Sequence, residues 1–321
     1  MNNYFPYTII SKSKIIGFIV FLIIFQNVSC TSTKKLHNYK SFVENFSKPK
    51  WKRKYITPTK KINIESKIPE GSGLIAWNGN LWTHNDSGDP SLFSLDTLTG
   101  RIVNEYKLIG IKNNDWEDLS QDENYFYIGD FGNNSHTKNT LNIHKINKQE
   151  LLKGNPKIES ITFSWPEIIN DKKNKKSNFD CEAMAIIGDS IYIFTKEWKK
   201  NHCTQVFSLP KKAGFYSANY RATLKTKVLV TGASYNETKK KLVLCGYNII
   251  AKPRLLVFLE VDNSNLFGKR AIRFKTRKLA FTQMEGIGSF DGTTYFTINE
   301  NFDFLFFHTL QGLHKFIIKD K

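Results

Sequence analysis

Asp180-Cys181-Glu182-Ala183-Met184-Ala185-Ile186-Ile187-Gly188-Asp189-Ser190-Ile191-Tyr192-Ile193-Phe194-Thr195 decides how the rest of this 321-residue chain is read. Two apolar or alternating runs of strand length, Glu182–Ile187 and Ser190–Thr195, flank a Gly-Asp turn, and no helical period runs through them. Glu182 opens the unit and Tyr192 follows ten positions later. The same offset joins Glu117 to Tyr127 and Glu285 to Tyr295. Gly232 and Leu242 keep the spacing without the acid, and Glu70 precedes Trp82 with two extra residues between.

Each of these openings heads a group of four strand-like runs. The first group is Gly73–Trp77, Leu81–His84, Ser91–Leu95 and Arg101–Leu108. The second is Glu117–Ser120, Tyr125–Gly129, Leu141–Ile146 and Glu159–Trp165. In the third, Thr204–Leu209 and Arg221–Val228 follow the stretch quoted above. The fourth is Thr231–Tyr235, Lys241–Gly246, Arg254–Val261 and Arg270–Phe274. The last is Glu285–Phe290, Thr294–Asn299, Phe304–Thr309 and Leu313–Ile318. A repeat of about 50 residues with four strands per unit predicts an all-β chain folded as a β-propeller with five four-stranded blades. Lys60–Ile64 is one more strand-like run. It would complete the last blade, and it leaves a sixth blade open. A β-sandwich is the competing all-β fold, but it gives no reason for the Glu-to-Tyr spacing. The lysine-rich break at Asp171–Lys176 reads as an exposed loop.

In a propeller, the loops leading into the first strands and those leaving the second strands gather on one face. Here those loops are polar. Leading positions carry Glu70, Asp115-Trp116-Glu117-Asp118, Asp180-Cys181-Glu182 and Gln283-Met284-Glu285. Leaving positions carry His84-Asn85-Asp86-Ser87-Gly88, Gly129-Asp130-Phe131-Gly132-Asn133-Asn134, Thr195-Lys196-Glu197-Trp198 and Asn299-Glu300-Asn301. Acids from several blades would then meet in one funnel, where uncompensated like charges raise one another's pKa values. A bound cation is one way to keep them ionised. Hard oxygen donors suit Ca²⁺ or Mg²⁺, and the scarcity of histidine argues against zinc. Glu117, Asp130, Glu182 and Glu285 are the expected metal ligands, with Asp86, Lys196 and Asn299 placed to bind a small polar ligand. Asp and Asn before Gly are also ordinary turn formers. The repeated Glu is not, although it could clasp backbone N–H groups of a neighbouring blade. Trp116 and Trp198 could stack on a sugar ring or pack between blades.

The formal charge of +18 is unevenly spread. Residues 31–61 carry +9 and residues 62–321 only +7. Lysine outnumbers arginine 40 to 7, whereas arginine is the residue suited to bidentate phosphate reading. Nucleic-acid binding is not expected. Lys12 and Lys14 precede an apolar run, Ile15–Phe25, that is too short to span a bilayer, which needs about 20 residues. The run ends in Asn27-Val28-Ser29-Cys30. This resembles the lipobox of bacterial lipoproteins, with Asn27 where leucine is usual, and implies acylation of Cys30; an ordinary secretory signal or an uncleaved anchor is the alternative. Residues 1–30 are then a lipoprotein signal peptide, 31–60 a basic tether close to anionic lipid, and 61–321 the propeller domain. The expected location is the cell envelope. Thr31-Ser32-Thr33-Lys34-Lys35 lacks an acidic export tract, which favours a periplasm-facing position on the outer or inner membrane. Cys181, Cys203 and Cys245 lack metal-site spacing; Cys181 and Cys203 could pair or remain buried thiols.

Taken jointly, Trp82-Thr83-His84-Asn85-Asp86-Ser87-Gly88, Asp115-Trp116-Glu117-Asp118 and Gly129-Asp130-Phe131-Gly132-Asn133-Asn134 resemble a group of secreted bacterial propeller proteins. Asp180-Cys181-Glu182-Ala183-Met184 and Met284-Glu285-Gly286-Ile287 extend the likeness over about residues 70–300. That group is known by fold more than by activity. More distantly, Glu285-Gly286-Ile287 is similar to phytase-like esterase and gluconolactonase-type propellers, which implies a divalent cation held by Glu, Asn and Asp in a central channel. Gly232 breaks that pattern at the fourth blade. The expectation is a monomeric, membrane-tethered binding module for a divalent cation, a small polar ligand, or both. A metal-dependent hydrolase of lactones, phosphate esters or glycosides, and a protein-binding scaffold, are the alternatives.

Overall fold

The computed structural model describes residues 46–47, 49–135, 137–166, 179–198, 203–304 and 307–320. Residues 1–30, expected to be a signal peptide ending at Cys30, and the break at Asp171–Lys176 lie outside them. Three strands open the described chain: β1 (Phe46–Ser47), β2 (Trp51–Ile56) and β3 (Lys60–Asn63). The first blade is β4 (Gly71–Trp77), β5 (Asn80–Asn85), β6 (Ser91–Leu95) and β7 (Ile102–Lys107). The second is β8 (Trp116–Gln121), β9 (Tyr125–Asp130), β10 (Leu141–Asn147) and, after the one-turn helix α1 (Lys148–Leu152), β11 (Ile158–Ser164). The third is β12 (Cys181–Ile187), β13 (Ser190–Thr195) and β14 (Cys203–Pro210); β15 (Gly214–Ser217) crosses to pair with β11, and β16 (Asn219–Lys225) completes the blade. The fourth is β17 (Leu229–Asn236), β18 (Lys241–Tyr247), β19 (Pro253–Leu259) and β20 (Arg270–Thr276).

The fifth blade departs from the sequence reading. Its strands are β21 (Met284–Ser289), β22 (Thr294–Asn299) and β25 (Gly312–Ile317), and its outer strand is β3 from the other end of the chain. The run expected as a third strand, Phe304–Thr309, instead belongs to a separate hairpin of β23 (Phe302–Phe304) and β24 (Phe307–Thr309). Lys60–Asn63 therefore closes the ring, and the described residues contain five blades and no sixth. The basic stretch 31–60 is not all tether. β1 pairs in parallel with β16 and β2 with β20, covering the outer edges of the third and fourth blades. Covering an edge hides unpaired backbone groups that would otherwise template association.

The first strands sit side by side around the axis in the order β4, β8, β12, β17, β21, and β21 returns to β4. Their side chains leave the axis to fill cores between successive blades. Tyr127, Tyr192 and Tyr295, the aromatic half of the repeat, are all buried in these layers. Trp116 is fully buried against His84, so it packs between blades and does not face a ligand. Cys181, Cys203 and Cys245 are buried, and the Cys181–Cys203 disulfide does not form.

Candidate functional site: an acidic cavity on the propeller axis

A local irregularity recurs where each first strand begins. Pairing with the second strand skips one residue: Glu117 between Trp116 and Asp118, Glu182 between Cys181 and Ala183, and Glu285 between Met284 and Gly286. In the fourth blade the skipped residue is Thr231, not the Gly232 suggested by the spacing. In the first blade the skip takes in Gly73 and Leu74. Such bulges leave one residue out of the ladder and re-aim its side chain. Three of the five turn a glutamate toward the axis. Thr231 spends its hydroxyl on the Met284 carbonyl of the next blade.

The result is a cavity of about 240 Å³ lined from all five blades. Ser72 and Asp86 come from the first blade and its leaving loop, and Asp115, Glu117 and Asn134 from the second. The third supplies Glu182, Lys196 and Trp198, the fourth Tyr247, and the fifth Gln283, Glu285 and Glu300. Lys196 lies at the centre of this charge. Its Nζ is 3.0 Å from Glu182 Oε1, with both side chains more than nine-tenths buried, and it faces the rings of Trp198 and Tyr247. Burial opposes its charge, but Glu182, Tyr247, Glu285 and Asp180 outweigh burial and hold the ammonium protonated.

One ammonium cannot neutralise this many acids. Glu117 is pushed well up by burial and by Glu182. Glu285 is pushed up to about 8 by burial, with Lys196 opposing and Glu300 adding to the rise. On the first-blade side, burial and a hydrogen bond shared with Glu70 push Asp86 up to about 8. Ser87 Oγ donates to Glu70 Oε2 at 2.7 Å. Glu182 is itself pushed up by burial, with Lys196 opposing, so four blades carry raised carboxyls, as like charges in a small buried volume require.

The expected set is only partly brought together. Glu117, Glu182, Glu285, Asp86 and Lys196 line the cavity; Asp130 and Asn299 do not. Asp130 is occupied locally. Its carboxylate accepts from the Asp115 backbone N–H at 3.1 Å and Asn114 Nδ2 at 2.6 Å, and faces His144. It thereby fixes the loop that leads into β8. Asn299 Nδ2 donates to the carbonyls of Glu300 and Leu310, tying down the loop that carries Glu300. Among the described residues no group of three or more His, Cys, Asp or Glu side chains stands close enough to hold a metal ion.

Sequence reasoning gave no site role to Tyr247, which ends β18 in the fourth blade's leaving position. Applying the leaving-loop rule to the one blade without an acid would have found it. Asp115, Glu300, Gln283 and Asn134 were visible as loop residues only, whereas Trp198, read as able to stack on a sugar ring or pack between blades, does line the cavity. Asp115 pairs with Lys138 at 3.1 Å, and Trp198 Nε1 donates to Asp180 Oδ2 at 3.3 Å. The Gly132 backbone runs so close that a Cβ there would meet Glu117 Oε1 at 2.2 Å and Asp115 Oδ2 at 2.5 Å.

The clasp considered for the repeated Glu belongs instead to the residue after it. Asp118 is fully buried, and its carboxylate accepts backbone N–H groups from Leu119 at 2.9 Å, Met184 at 2.7 Å and Ala233 at 3.3 Å. One side chain thus joins the first strands of the second, third and fourth blades. Burial pushes its pKa up, and the three N–H donors oppose that. Below it the strands crowd together: a Cβ on Gly286 would lie 2.6 Å from the Gly73 carbonyl carbon, and one on Gly73 2.5 Å from Leu119 N. This floor separates the acidic cavity from a second one of about 30 Å³ at the opposite end of the axis, lined by Ser120, Gln121, Ile186, Ser234, Tyr235 and Ser289 among others, none of them charged.

Fold and site together define a five-bladed β-propeller with an acidic axial cavity. No known protein family matches the sequence, and no curated protein matches it. Among solved structures, similarity is found to a glutaminyl cyclase from Myxococcus xanthus, with TM-score 0.49, 8% identity, and 83% of this chain and 100% of that one covered. A PQQ-bound aldose sugar dehydrogenase from Streptomyces coelicolor matches with TM-score 0.49 and 10% identity, covering 81% and 97%.

Proposed function

We propose that the axial cavity binds a small polar ligand rich in hydroxyl or amine donors, on a propeller tethered to a cell-envelope membrane through acylated Cys30. The observation that carries this reading is the convergence of acids from four blades, one lysine and one tyrosine on a single cavity of about 240 Å³. At about 30 Å³ per water, that is room for roughly eight waters or a ligand of similar bulk. Carboxylates accept hydrogen bonds from such a ligand, and Lys196 orients whatever acceptor it carries. The ligand would be recognised by charge-assisted hydrogen bonds in a site shielded from solvent.

A divalent cation, Ca²⁺ or Mg²⁺, is the second reading, favoured by the excess of acids over Lys196. It requires the carboxyls to lose protons and draw together, so its binding would strengthen with pH. A hydrolase reading rests on Glu285 and Asp86, whose values near 8 suit proton transfer near neutral pH. The test is a thermal-shift screen of the full chain in detergent against polyols, amino sugars, amines, Ca²⁺ and Mg²⁺, repeated with Glu182→Gln and Glu285→Gln. Stabilisation by a donor-rich ligand that weakens in both variants supports the reading. Stabilisation that survives both substitutions, or none with any compound, removes it.

A further inference from the structure

Arginine is rare in this chain, yet four of its seven copies share one face of the fourth blade. Register places Arg53 beside Arg273 on the edge formed by β2 and β20. Two residues further on, Tyr55 lies beside Lys275, which in turn lies beside Arg254. Side chains alternate along a strand, so these positions and Trp51 share a face, and Arg277 continues it beyond β20. Trp51 packs into the core between the third and fourth blades at the other end of this face. The arginines take over where that core gives way to solvent.

No carboxylate pairs with Arg53, Arg254, Arg273 or Arg277 among the described residues, although Arg270 on the opposite face pairs with Glu260. Their contacts are aromatic faces and carbonyls. Arg273 stacks on Trp51 at 4.5 Å, Arg277 stacks on Tyr55 at 4.4 Å, and Arg254 donates to the Pro253 carbonyl at 2.7 Å. Arg273 is about nine-tenths buried, and its Nε has no hydrogen-bond partner. Burial and the neighbouring Arg53 and Arg254 hold its guanidinium below the usual range. Like charges gathered this closely, with a buried donor unspent, are unfavourable in the free protein and become favourable with an anion between them. In a chain that uses lysine elsewhere, guanidinium forks oriented by aromatic rings suit a tetrahedral oxyanion better than a diffuse attraction.

We propose that the Arg53–Arg254–Arg273–Lys275–Arg277 face is a second binding site, separate from the axial cavity, for a phosphate-type oxyanion. The same chemistry is offered by a free phosphate and by the headgroup of an anionic lipid. The experiment is ³¹P line broadening on titrating the full chain in detergent into inorganic phosphate, dihexanoyl-phosphatidylglycerol or dihexanoyl-phosphatidylcholine, at constant ionic strength. Both exposed arginines are then replaced in Arg53→Gln/Arg277→Gln. Saturable binding of inorganic phosphate, phosphatidylglycerol or both, weakened about tenfold or more in the double variant, supports the site. The arm that saturates identifies the source. No saturable binding in either anionic arm overturns the proposal. So does equal binding by the double variant, or equal binding of phosphatidylcholine and phosphatidylglycerol without any of inorganic phosphate. The variant's melting temperature in chloride alone checks that the fold is kept.

Discussion

The two ends of the propeller axis are built from the same five strands and differ in nearly every chemical respect. At one end each first strand starts with a bulge, and the skipped residue is Glu in three blades. At the other end the strands finish in regular pairing, and the small cavity there is lined by Ser, Ala, Gly, Ile, Gln and Tyr. Regular pairing sends alternate side chains into the cores between blades and brings the strands close around the axis. A bulge frees one residue from that alternation. Charge can therefore be concentrated at one end without disturbing the packing that holds the ring, provided something joins the strands immediately beneath it. Asp118 does so.

Removing that junction should have the largest effect. Asp118→Ala leaves three buried N–H groups in three blades without an acceptor, and should cost about 3–5 kcal/mol in denaturant unfolding. A loss below about 1 kcal/mol would mean the two ends are joined by packing alone. Next comes Gly132→Ala, whose Cβ would displace the Glu117 and Asp115 carboxylates. It should lower stability by about 1–3 kcal/mol and abolish any ligand-induced rise in melting temperature.

The contrast also predicts a pH dependence. Asp86 and Glu285 have folded-state values near 8, well above those of an unfolded chain. Between about pH 4 and pH 8 these two carboxyls hold protons that the unfolded chain has released, which lowers stability as pH rises. His84 and His314, held near 4 by burial, act in the opposite sense up to about pH 6.5, so the fall is clearest above that. Denaturation from about pH 6.5 to pH 8 should show the decline, and Glu285→Gln should reduce its slope by up to about one proton. An unchanged slope in the variant would place the titrating groups elsewhere. The smallest effect belongs to the opposite end: Ser234→Ala should change stability by less than about 0.5 kcal/mol and leave the axial cavity's ligand response intact.

Much of the ring was legible in the sequence because strand-length runs recur at one spacing. Glu117, Glu182 and Glu285 stood out because turn propensity does not favour Glu. Asp130 and Asn299 did not separate from their neighbours in the same way. An Asp or Asn at a strand end satisfies nearby loop groups as readily as it faces a cavity, and composition alone does not distinguish the two. Phe304–Thr309 has the length and apolarity of a blade strand, and only the pairing of Phe304 with Phe307 shows that the run folds back on itself in a side hairpin. The slip from Gly232 to Thr231 has a similar origin: a bulge moves the axis-facing position by one residue and leaves no mark in the hydrophobic pattern.

The closure of the fifth blade has a consequence for how the molecule comes into being. Thr59 donates its backbone N–H to the carbonyl of Lys315, 256 residues later, and β3 lies against β25 beside it. β1 and β2 likewise wait for partners near residues 223 and 271. A chain emerging from its N-terminus exposes these three strands, the second and third of them basic, before their partners exist and satisfies them last, so ring completion is a late step with a high contact order. Charged, lysine-rich composition in that waiting segment is then a safeguard against mispairing during the interval, quite apart from any part it takes in the finished protein.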